Sequence, residues 1–303
     1  MDERGFVIPD ELWKIIEAPE NRLILVIGAS DTGKTTFIET IAGKFSSRFR
    51  LAIVDLDMGQ SHIGPPTTIG WARIPVGFKD LSSLKEEEFY FTGTVTPLGS
   101  LLPAITGARL MVDRAMGASD KVIVDTTGLV SEPAGRVLKH YKIEILRPDL
   151  IICLERADEL SHIKEPFRLS LRHLHQVPRF YTLKPSSEVR QKSPSERQEY
   201  RYRLMETYLE GSEIKELKIS DLGFLFTGER INFDNSDLKN RIVSLRDFSN
   251  RDMGLGVVEL VKPKEGKIYI RAKELPQRPV TIVIGKAVMD RKERTLRNVS
   301  ALI

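Results

Sequence analysis

The chain has 303 residues, of which 41% are hydrophobic and 29% charged, and its 46 basic and 42 acidic residues give a net charge of +4. This length allows one large α/β domain of roughly 200 residues and a smaller appendage. No apolar run approaches the ~20 residues that span a bilayer, so no membrane partner is expected. The single cysteine, Cys153, excludes an internal disulfide and favours a reducing compartment, so we expect a cytoplasmic protein.

Short apolar runs alternate with helical patterns through the first two thirds of the chain. The predicted strands are Leu23–Ile27, Leu51–Val54, Phe89–Phe91, Val122–Val124, Leu150–Leu154 and Phe180–Leu183. The predicted helices are Lys34–Ala42, Leu101–Met116, Pro133–Tyr141 and a weaker one over Ser161–His173. This alternation predicts a parallel sheet with helices on both faces, an α/β fold whose ligands bind at the carboxyl ends of the strands.

From about Ser220 the pattern changes to short strands punctuated by glycines. The predicted strands here are Phe224–Thr227, Ile242–Leu245, Gly256–Leu260, Lys267–Ile270 and Val280–Ile284. Few helical segments lie between them. The sequence therefore predicts a small β-rich C-terminal domain over residues 220–303.

Residues Gly28–Thr36 read Gly-Ala-Ser-Asp-Thr-Gly-Lys-Thr-Thr directly behind the first predicted strand. This is the G-x-x-x-x-G-K-[ST] pattern of a phosphate loop in its required strand-to-helix context, and it favours triphosphate binding over an ordinary glycine-rich turn. Lys34 is expected to reach the β- and γ-phosphates, and the Thr35 hydroxyl to ligate Mg²⁺. The residues predicted to bind the nucleotide are Gly28, Ser30, Asp31, Thr32, Gly33, Lys34, Thr35 and Thr36.

Two further strands end in aspartates. Asp55 and Asp57 close the second strand and point the same way, and Asp57 lies nearer the strand end. Asp57 is therefore the better candidate to accept a proton from an incoming hydroxyl, and it could also meet Mg²⁺. Asp125 ends the strand Val122–Val124 in the Walker B form and is a second candidate for Mg²⁺. The alternative for both sites is a capping or turn-forming aspartate.

Five motifs occur in one order along the chain: Gly28–Thr36, Asp57-Met58-Gly59-Gln60 with Pro65-Pro66-Thr67, Thr92-Gly93 with Thr96-Pro97, Asp125-Thr126-Thr127-Gly128, and a basic Ser-x-x-x-Arg-x-x-x-Arg helix. Together they resemble the P-loop polynucleotide 5′-hydroxyl kinases, the family of the RNA kinase subunit of the pre-mRNA cleavage machinery and of the kinase in ribosomal RNA processing. The resemblance covers roughly residues 8–211. Its reduced plan is similar to the compact archaeal or bacterial members.

The resemblance implies ATP and Mg²⁺ as cofactors and a nucleic acid 5′-hydroxyl end as acceptor, with RNA favoured over DNA and RNA-processing proteins as partners. It also implies that residues 21–219 form the P-loop kinase domain, with a helical lid around 184–211 and an N-terminal extension over 1–20. The roles it implies are a phosphoryl contact for Lys34, the general base for Asp57, and lid arginines for Arg197 and Arg201. The acceptor end would be held by Gln60, Thr126, Thr127 and Gly128.

At one position the chain departs from the eukaryotic members of that family. In that family a segment called the clasp grips the substrate end, and it would correspond here to Thr126–Gly128. The eukaryotic members carry a base-stacking tryptophan after the clasp glycine, where this chain has Leu129. Leucine cannot stack on a base in the same way, which puts a base contact at this position in doubt.

Two other classes of protein stay open from the sequence. One is a nucleotide-binding RNA-processing scaffold without kinase activity. The other is a P-loop NTPase that assembles metal centres or couples hydrolysis to motion. The second would account for Lys34 and Asp125 but not for the Asp57–Gln60 motif or the lid arginines.

Overall fold

A computed structural model describes residues 7–131, 133–170, 178–185, 192–227 and 232–299 of the chain. The helices within these ranges are α1 (Asp10–Glu17), α2 (Lys34–Phe45), α3 (Leu101–Ala118), α4 (Ala134–Leu146), α5 (Ser161–Ser170), α6 (Pro194–Tyr208) and α7 (Asn235–Leu238). The strands are β1 (Leu23–Gly28), β2 (Leu51–Asp55), β3 (Thr68–Ile74), β4 (Glu88–Phe91), β5 (Lys121–Asp125), β6 (Leu150–Leu154), β7 (Arg179–Leu183), β8 (Glu213–Lys218), β9 (Gly223–Phe226), β10 (Arg241–Arg246), β11 (Asp252–Lys262), β12 (Lys267–Ala272), β13 (Thr281–Asp290) and β14 (Thr295–Asn298). Among the described helices, none is long and apolar enough to cross a membrane.

The first sheet has seven strands in the order β4-β3-β2-β5-β1-β6-β7. The five strands from β2 to β7 in that order are parallel to one another, as the sequence pattern predicts. The strand β3 runs antiparallel to both β2 and β4, so one edge of the sheet is mixed. Because β1, β2 and β5 lie side by side and parallel, the phosphate loop and both aspartate motifs emerge at the same end of the sheet.

Helices cover both faces of this sheet because its central strands present apolar side chains to both faces. Every residue of β1, β2, β5 and β6 is buried. The helices α3, α4 and α5 pack on one face, and α1 and α2 pack on the other. Within the N-terminal extension, Leu12 and Ile16 of α1 anchor that helix in the second of these cores. The two apolar layers hold the loops at the strand ends in fixed relative positions.

The second sheet is largely antiparallel and has the order β14-β13-β10-β11-β12-β8, with β9 paired in parallel to β13. It contains all five strands predicted from the C-terminal sequence. It also contains β8, which pairs with β12, so the sheet starts at Glu213 while the change in sequence pattern lies near Ser220. The lid predicted around 184–211 corresponds in its described part to α6, and residues 186–191 of that prediction lie outside the described ranges.

The two sheets meet through β4, α6 and a loop that follows β4. Phe89 and Phe91 share an apolar cluster with residues of α6 and of the second sheet. The carbonyl of Gly93 accepts hydrogen bonds from the Lys286 and Ala287 N–H groups, at 2.7 and 3.0 Å. The second sheet thereby holds the loop after β4 by its backbone.

A side chain of β14 holds the same loop further along. Asn298 Oδ1 accepts from the Val95 N–H at 3.0 Å, and its Nδ2 donates to Thr94 Oγ1 at 2.7 Å. The second sheet is therefore joined to the loop after β4 by both backbone and side-chain contacts.

Candidate active site

The loop between β1 and α2 has the backbone of a phosphate loop. Asp31 and Gly33 have φ angles of 54° and 78°, in the left-handed region that glycine and aspartate tolerate best. A Cβ at Gly28 would lie 2.5 Å from the Thr32 hydroxyl, so the tight turn requires glycine there. The loop ends at the N-terminus of α2, whose unpaired backbone N–H groups attract anions.

Lys34 and Thr35 begin α2 and carry the polar groups expected to meet the triphosphate. Lys34 is buried, and its Nζ donates to the Ala29 carbonyl at 2.7 Å. Burial lowers the pKa of Lys34, and the charges of Asp125 and Asp57 oppose that shift. Thr35 Oγ1 donates to Asp125 Oδ2 at 3.1 Å, so the phosphate loop meets the carboxylate that ends β5.

Two buried carboxylates lie side by side at the strand ends, because Asp55 pairs in register with Asp125. Burial raises the pKa of both; the charges of Asp125 and Asp57 raise that of Asp55 further, whereas Lys34 opposes the shift of Asp125. Asp125 Oδ1 is buried with no hydrogen-bond partner in the described part of the chain. An unpartnered carboxylate oxygen beside the Thr35 hydroxyl is a donor set that fits Mg²⁺.

Asp57 follows β2 and is half-buried. Its Oδ1 accepts hydrogen bonds from the N–H groups of Gly59 and Gln60, both at 3.0 Å. These bonds, made among described residues, leave Oδ2 available to accept a proton. Gly59 is fixed in its turn by the chain around it, since a Cβ there would lie 2.5 Å from the Val95 carbonyl oxygen.

Asp55 anchors the loop that carries Asp57, a role that the sequence analysis missed. Asp55 Oδ1 accepts from the Asp57 N–H at 2.8 Å, and Oδ2 accepts from the N–H groups of His62 and Ile63 at 2.6 and 3.3 Å. The alternation of side chains along the strand predicts that Asp55 and Asp57 lie on the same side, but it does not predict that they have different roles. Asp55 is thus a positioning residue, and Asp57 presents the available oxygen.

The clasp segment Thr126–Gly128 lies directly against the phosphate loop. Thr126 Oγ1 donates to the Val26 carbonyl of β1 at 2.8 Å. A Cβ at Gly128 would lie closest to the Ser30 hydroxyl oxygen and 2.6 Å from the Ser30 nitrogen, so this close approach to Ser30 requires glycine. The Thr127 hydroxyl is buried, with no partner among the residues that the structure describes.

Leu129 follows the clasp glycine. It is partly buried and packs against the core between the first sheet and α3, α4 and α5. Its side chain therefore contributes to the apolar layer under the clasp.

The helix α6 begins with a capping box, in which Ser193 Oγ accepts from the Glu196 N–H and the Glu196 carboxylate accepts from the Ser193 N–H. This cap fixes the first turn, which carries Arg197. Arg197 Nη2 forms an ion pair with Asp31 Oδ2 of the phosphate loop at 2.6 Å. Gln60 Nε2 donates to the Arg197 carbonyl at 3.1 Å. One residue of α6 thus touches both the phosphate loop and the Asp57 loop.

A second contact between α6 and the Asp57 loop involves Tyr200. Its hydroxyl donates to the Ser61 carbonyl at 3.3 Å, and its ring lies 6.3 Å from the His62 ring between centroids. Arg201, one helical turn after Arg197, has a buried Nε without a partner among the described residues. Of the two predicted lid arginines, Arg197 therefore contacts the phosphate loop, and Arg201 lies close enough to Asp57 for their charges to interact. Of the predicted nucleotide contacts, Thr36 lies inside α2, where its carbonyl accepts the Thr40 hydroxyl.

Unpartnered polar atoms concentrate at this end of the sheet. Within the described ranges, ten buried side-chain nitrogen or oxygen atoms lack a hydrogen-bond partner. Five of them belong to the Asp57 loop, the β5 end and the lid: Gln60 Oε1, His62 Nδ1, Asp125 Oδ1, Thr127 Oγ1 and Arg201 Nε. Each such atom costs roughly 1–3 kcal/mol, so their grouping indicates a site that gains its missing bonds from ligands.

A model of the family described as mRNA cleavage and polyadenylation factor CLP1 P-loop matches residues 28–211. The chain belongs to the CLP1 P-loop family. The match starts at Gly28 and ends just beyond α6, so it includes every residue predicted for the site. The resemblance inferred from the sequence is confirmed.

Two archaeal relatives of this CLP1 P-loop chain are named polyribonucleotide 5′-hydroxyl-kinase. That of Pyrococcus horikoshii is 34% identical over 247 residues, which are 80% of this chain and 65% of the relative. That of Methanocaldococcus jannaschii is 36% identical over 213 residues, 69% of this chain and 57% of the relative. The chain thus spans less than two thirds of the length of these relatives.

Among solved structures, the wild-type Clp1p–Pcf11p complex has a chain that matches with a TM-score of 0.69 at 13% identity, covering 92% of this chain and 77% of that one. A second Clp1p–Pcf11p structure, titled for an extended interface and for ATP loss in a Gly-to-Arg mutant, matches with the same score over 92% and 78%. At this identity the likeness shows the fold, and it confirms the α/β architecture with a second sheet.

Proposed function

We propose that this protein is an ATP-dependent polynucleotide 5′-hydroxyl kinase that transfers the γ-phosphate to the 5′-hydroxyl end of RNA, with DNA as a further acceptor. The observation that carries the proposal is the meeting of Lys34, Asp57 and Arg197 at one end of the sheet. The names of the archaeal relatives support the reaction type and favour RNA. The net charge of +4 suits a polyanionic substrate.

On the donor side, the chain supplies positive charge where phosphoryl transfer concentrates negative charge. Lys34 lies at the mouth of the phosphate loop, and Arg197 and Arg201 share one face of α6, as their spacing of four residues requires. In the proposed reaction, Arg197 exchanges Asp31 for phosphate oxygens, and the unpartnered Nε of Arg201 gains an acceptor. These groups stabilise the transferring phosphoryl group by position and charge.

On the acceptor side, Asp57 accepts the proton of the attacking 5′-hydroxyl. The 5′-oxygen forms a bond to the γ-phosphorus while the bond between that phosphorus and the β–γ bridging oxygen breaks, and ADP leaves with the electron pair. The available Oδ2 of Asp57 is suited to this proton. Gln60, Thr126, Thr127 and Gly128 would hold the terminal nucleotide, with the buried hydroxyl of Thr127 and Oε1 of Gln60 as its polar contacts.

Mg²⁺ would be held by Thr35 and Asp125, with Asp57 as a third oxygen donor. The fit rests on the contact between Thr35 Oγ1 and Asp125 and on the unpartnered Oδ1 of Asp125. When bound, the ion would neutralise charge on the phosphate oxygens.

Incubation of the purified protein with γ-labelled ATP and 5′-hydroxyl RNA or DNA oligonucleotides tests the proposal. Label on the oligonucleotide 5′ end supports the kinase, and release of free phosphate alone supports an NTPase. The absence of both products supports a nucleotide-binding scaffold. Lys34→Ala should abolish transfer even in excess nucleotide, because the lysine contact to the migrating phosphoryl group is lost. An oligonucleotide that already carries a 5′-phosphate is the negative control.

A further inference from the structure

The buried face of α4 carries two lysines, Lys139 and Lys142, whose side chains have no exposed surface. Lysine is almost never fully buried unless it is paired. Burial lowers the pKa of both, that of Lys139 well below its ordinary value and that of Lys142 to about 8. A specific structural or functional role is therefore expected for each of these two buried lysines.

Lys139 has a defined contact, and it is with the clasp. Its Nζ donates to the carbonyl of Thr127 at 2.6 Å. That carbonyl belongs to the residue whose hydroxyl is buried and without a partner among the described residues. The next residue, Gly128, lies against Ser30 of the phosphate loop. Lys139 of α4 therefore fixes the peptide that joins Thr127, with its unpartnered hydroxyl, to Gly128, which contacts the phosphate loop.

We propose that Lys139 is a positioning residue for the acceptor end of the polynucleotide, acting by holding the Thr127 carbonyl so that the Thr127 hydroxyl meets the 5′-terminal nucleotide. This inference rests on the proposed kinase function and on the clasp role of Thr127. It assigns Lys139 a main effect on oligonucleotide binding and only a small one on ATP binding.

Lys121 provides a matched case in which a buried lysine has only a structural role. It begins β5, the strand that Thr127 follows, and is 2% exposed. Its Nζ donates to the carbonyls of Ala18 and Asn21 at 2.6 and 2.9 Å, at the opposite end of the strand from the phosphate loop. Loss of Lys139 removes one hydrogen bond to a carbonyl and loss of Lys121 removes two, but only Lys139 holds a predicted substrate contact.

The experiment compares Lys139→Met and Lys121→Met in the full chain. Kinetics with a 5′-hydroxyl RNA oligonucleotide give kcat and KM for each substrate, fluorescence anisotropy gives oligonucleotide binding, and thermal unfolding gives Tm. Lys139→Met should raise the oligonucleotide KM and Kd about tenfold, the effect of one lost buried hydrogen bond, and leave the KM for ATP within about twofold. Lys121→Met should lower Tm and leave both oligonucleotide constants unchanged.

A double-mutant cycle with Thr127→Ala separates positioning from a general loss of stability. If Lys139 acts through the Thr127 hydroxyl, Lys139→Met should add little to the oligonucleotide KM of Thr127→Ala. Fully multiplicative effects, an unchanged oligonucleotide KM in Lys139→Met, or an equal rise in Lys121→Met would each overturn the proposal. Should Lys139→Met fail to fold, Lys139→Gln takes its place in the same cycle.

The wild-type measurements separate this inference from the proposed function. A wild-type protein that binds the oligonucleotide without phosphorylating it ends the kinase proposal and leaves Lys139 to be decided by the anisotropy data. A wild-type protein that neither binds nor phosphorylates it overturns both.

Discussion

At the carboxyl ends of β2 and β5, three aspartates lie close together in space but differ in their hydrogen-bond partners and burial. Asp55 is saturated with backbone N–H donors, and Asp125 takes the Thr35 hydroxyl. Asp57 is half-buried and keeps one oxygen available. The division of labour comes from the hydrogen bonds around each carboxylate, since the three side chains are chemically identical.

Asp57→Asn tests the proton acceptor. An amide keeps the shape and the acceptor oxygen that Gly59 and Gln60 use but is not basic, so we expect kcat to fall by roughly 10²–10⁴ with Tm and ATP binding unchanged. Steady-state kinetics with a 5′-hydroxyl oligonucleotide and nucleotide titration measure these quantities. Asp113→Asn, on an exposed face of α3, is the control for loss of one carboxylate. Full activity in Asp57→Asn would remove Asp57 as the base.

Lys142→Met tests the cost of a buried ammonium. Lys142 is fully buried and has no partner among the described residues, and burial lowers its pKa to about 8, from about 10.4 in an unfolded chain. Below pH 8 the folded protein therefore carries a penalty of up to about 3 kcal/mol. We expect Lys142→Met to raise Tm at pH 7.

The pH dependence fixes the sign of that effect. Between pH 8 and 10.4 the unfolded chain binds more protons at Lys142 than the folded one, so wild-type stability rises with pH and the advantage of Lys142→Met should shrink. Thermal unfolding at pH 7 and pH 10 measures the difference. Lys218→Met, an exposed lysine at the end of β8, should show no such change. An advantage for Lys142→Met that is independent of pH would contradict the assignment.

At the scale of elements, α6 connects the two halves of the site. Through Arg197 it binds Asp31 of the phosphate loop and accepts from Gln60 of the Asp57 loop. Because both contacts are made by the first turn of the helix, movement of this turn should shift the phosphate loop and the Asp57 loop together. The capping box at Ser193 and Glu196 keeps that turn helical while its contacts change.

Asp31→Asn should tighten ATP binding. The substitution frees Arg197 from its ion pair and removes a negative charge from the phosphate loop, and both effects favour an anionic ligand. We expect the Kd for ATP to fall by about two- to tenfold, as measured by nucleotide titration. The control is Glu199→Gln, an exposed carboxylate of α6 that faces Arg203 at 4.0 Å and should leave the Kd unchanged. Weaker ATP binding in Asp31→Asn would show that the ion pair helps to assemble the nucleotide site and does not compete with the nucleotide for Arg197.

Most elements of the first sheet could be predicted from sequence, because fully buried strands and amphipathic helices leave periodic patterns. The strand β3 could not. Its Gly70 interrupts the apolar run, and only the structure shows why glycine is there: a Cβ would lie 2.5 Å from the Ile63 carbonyl oxygen. The Asp57 loop makes this contact by folding back on the sheet, and a tertiary contact of this kind leaves no pattern in the local sequence.

The candidate site shows the same limit. The phosphate loop, Asp57 and Asp125 stand in local motifs, so their nearness follows from parallel strand order. The pairing of Asp31 with Arg197 joins residues 166 positions apart, and the bond from Lys139 to Thr127 depends on how α4 packs on the sheet. Neither contact repeats with a strand or helix period, so sequence spacing could not predict it.

At the scale of the whole molecule, the second sheet braces the acceptor side of the site. Asn298 of β14 holds Thr94 and Val95, and the Val95 carbonyl oxygen lies against Gly59, between Asp57 and Gln60. The contact passes from the second sheet through the loop after β4 to the residue beside the proposed base. In the proposed kinase, these contacts would let the C-terminal sheet influence catalysis through the placement of the Asp57 loop.

Asn298→Ala should therefore weaken acceptor binding at a distance. Loss of its two hydrogen bonds is expected to raise the oligonucleotide KM severalfold, lower stability by about 1 kcal/mol and leave the KM for ATP unchanged. Steady-state kinetics and chemical denaturation measure these effects. Arg297→Ala, the exposed neighbour on β14, should change neither KM. Equal losses for both substrates would show that the second sheet stabilises the fold as a whole.

The contact between Gly128 and Ser30 joins the clasp to the phosphate loop. Because Gly128 lies directly against both the side chain and the backbone of Ser30, a shift of the clasp on ligand binding should also shift the phosphate loop. Thermodynamic linkage then makes the effect mutual: the factor by which ATP changes oligonucleotide affinity equals the factor by which the oligonucleotide changes ATP affinity. In the proposed kinase, ATP and the oligonucleotide would therefore be reciprocal effectors of each other through this one glycine contact.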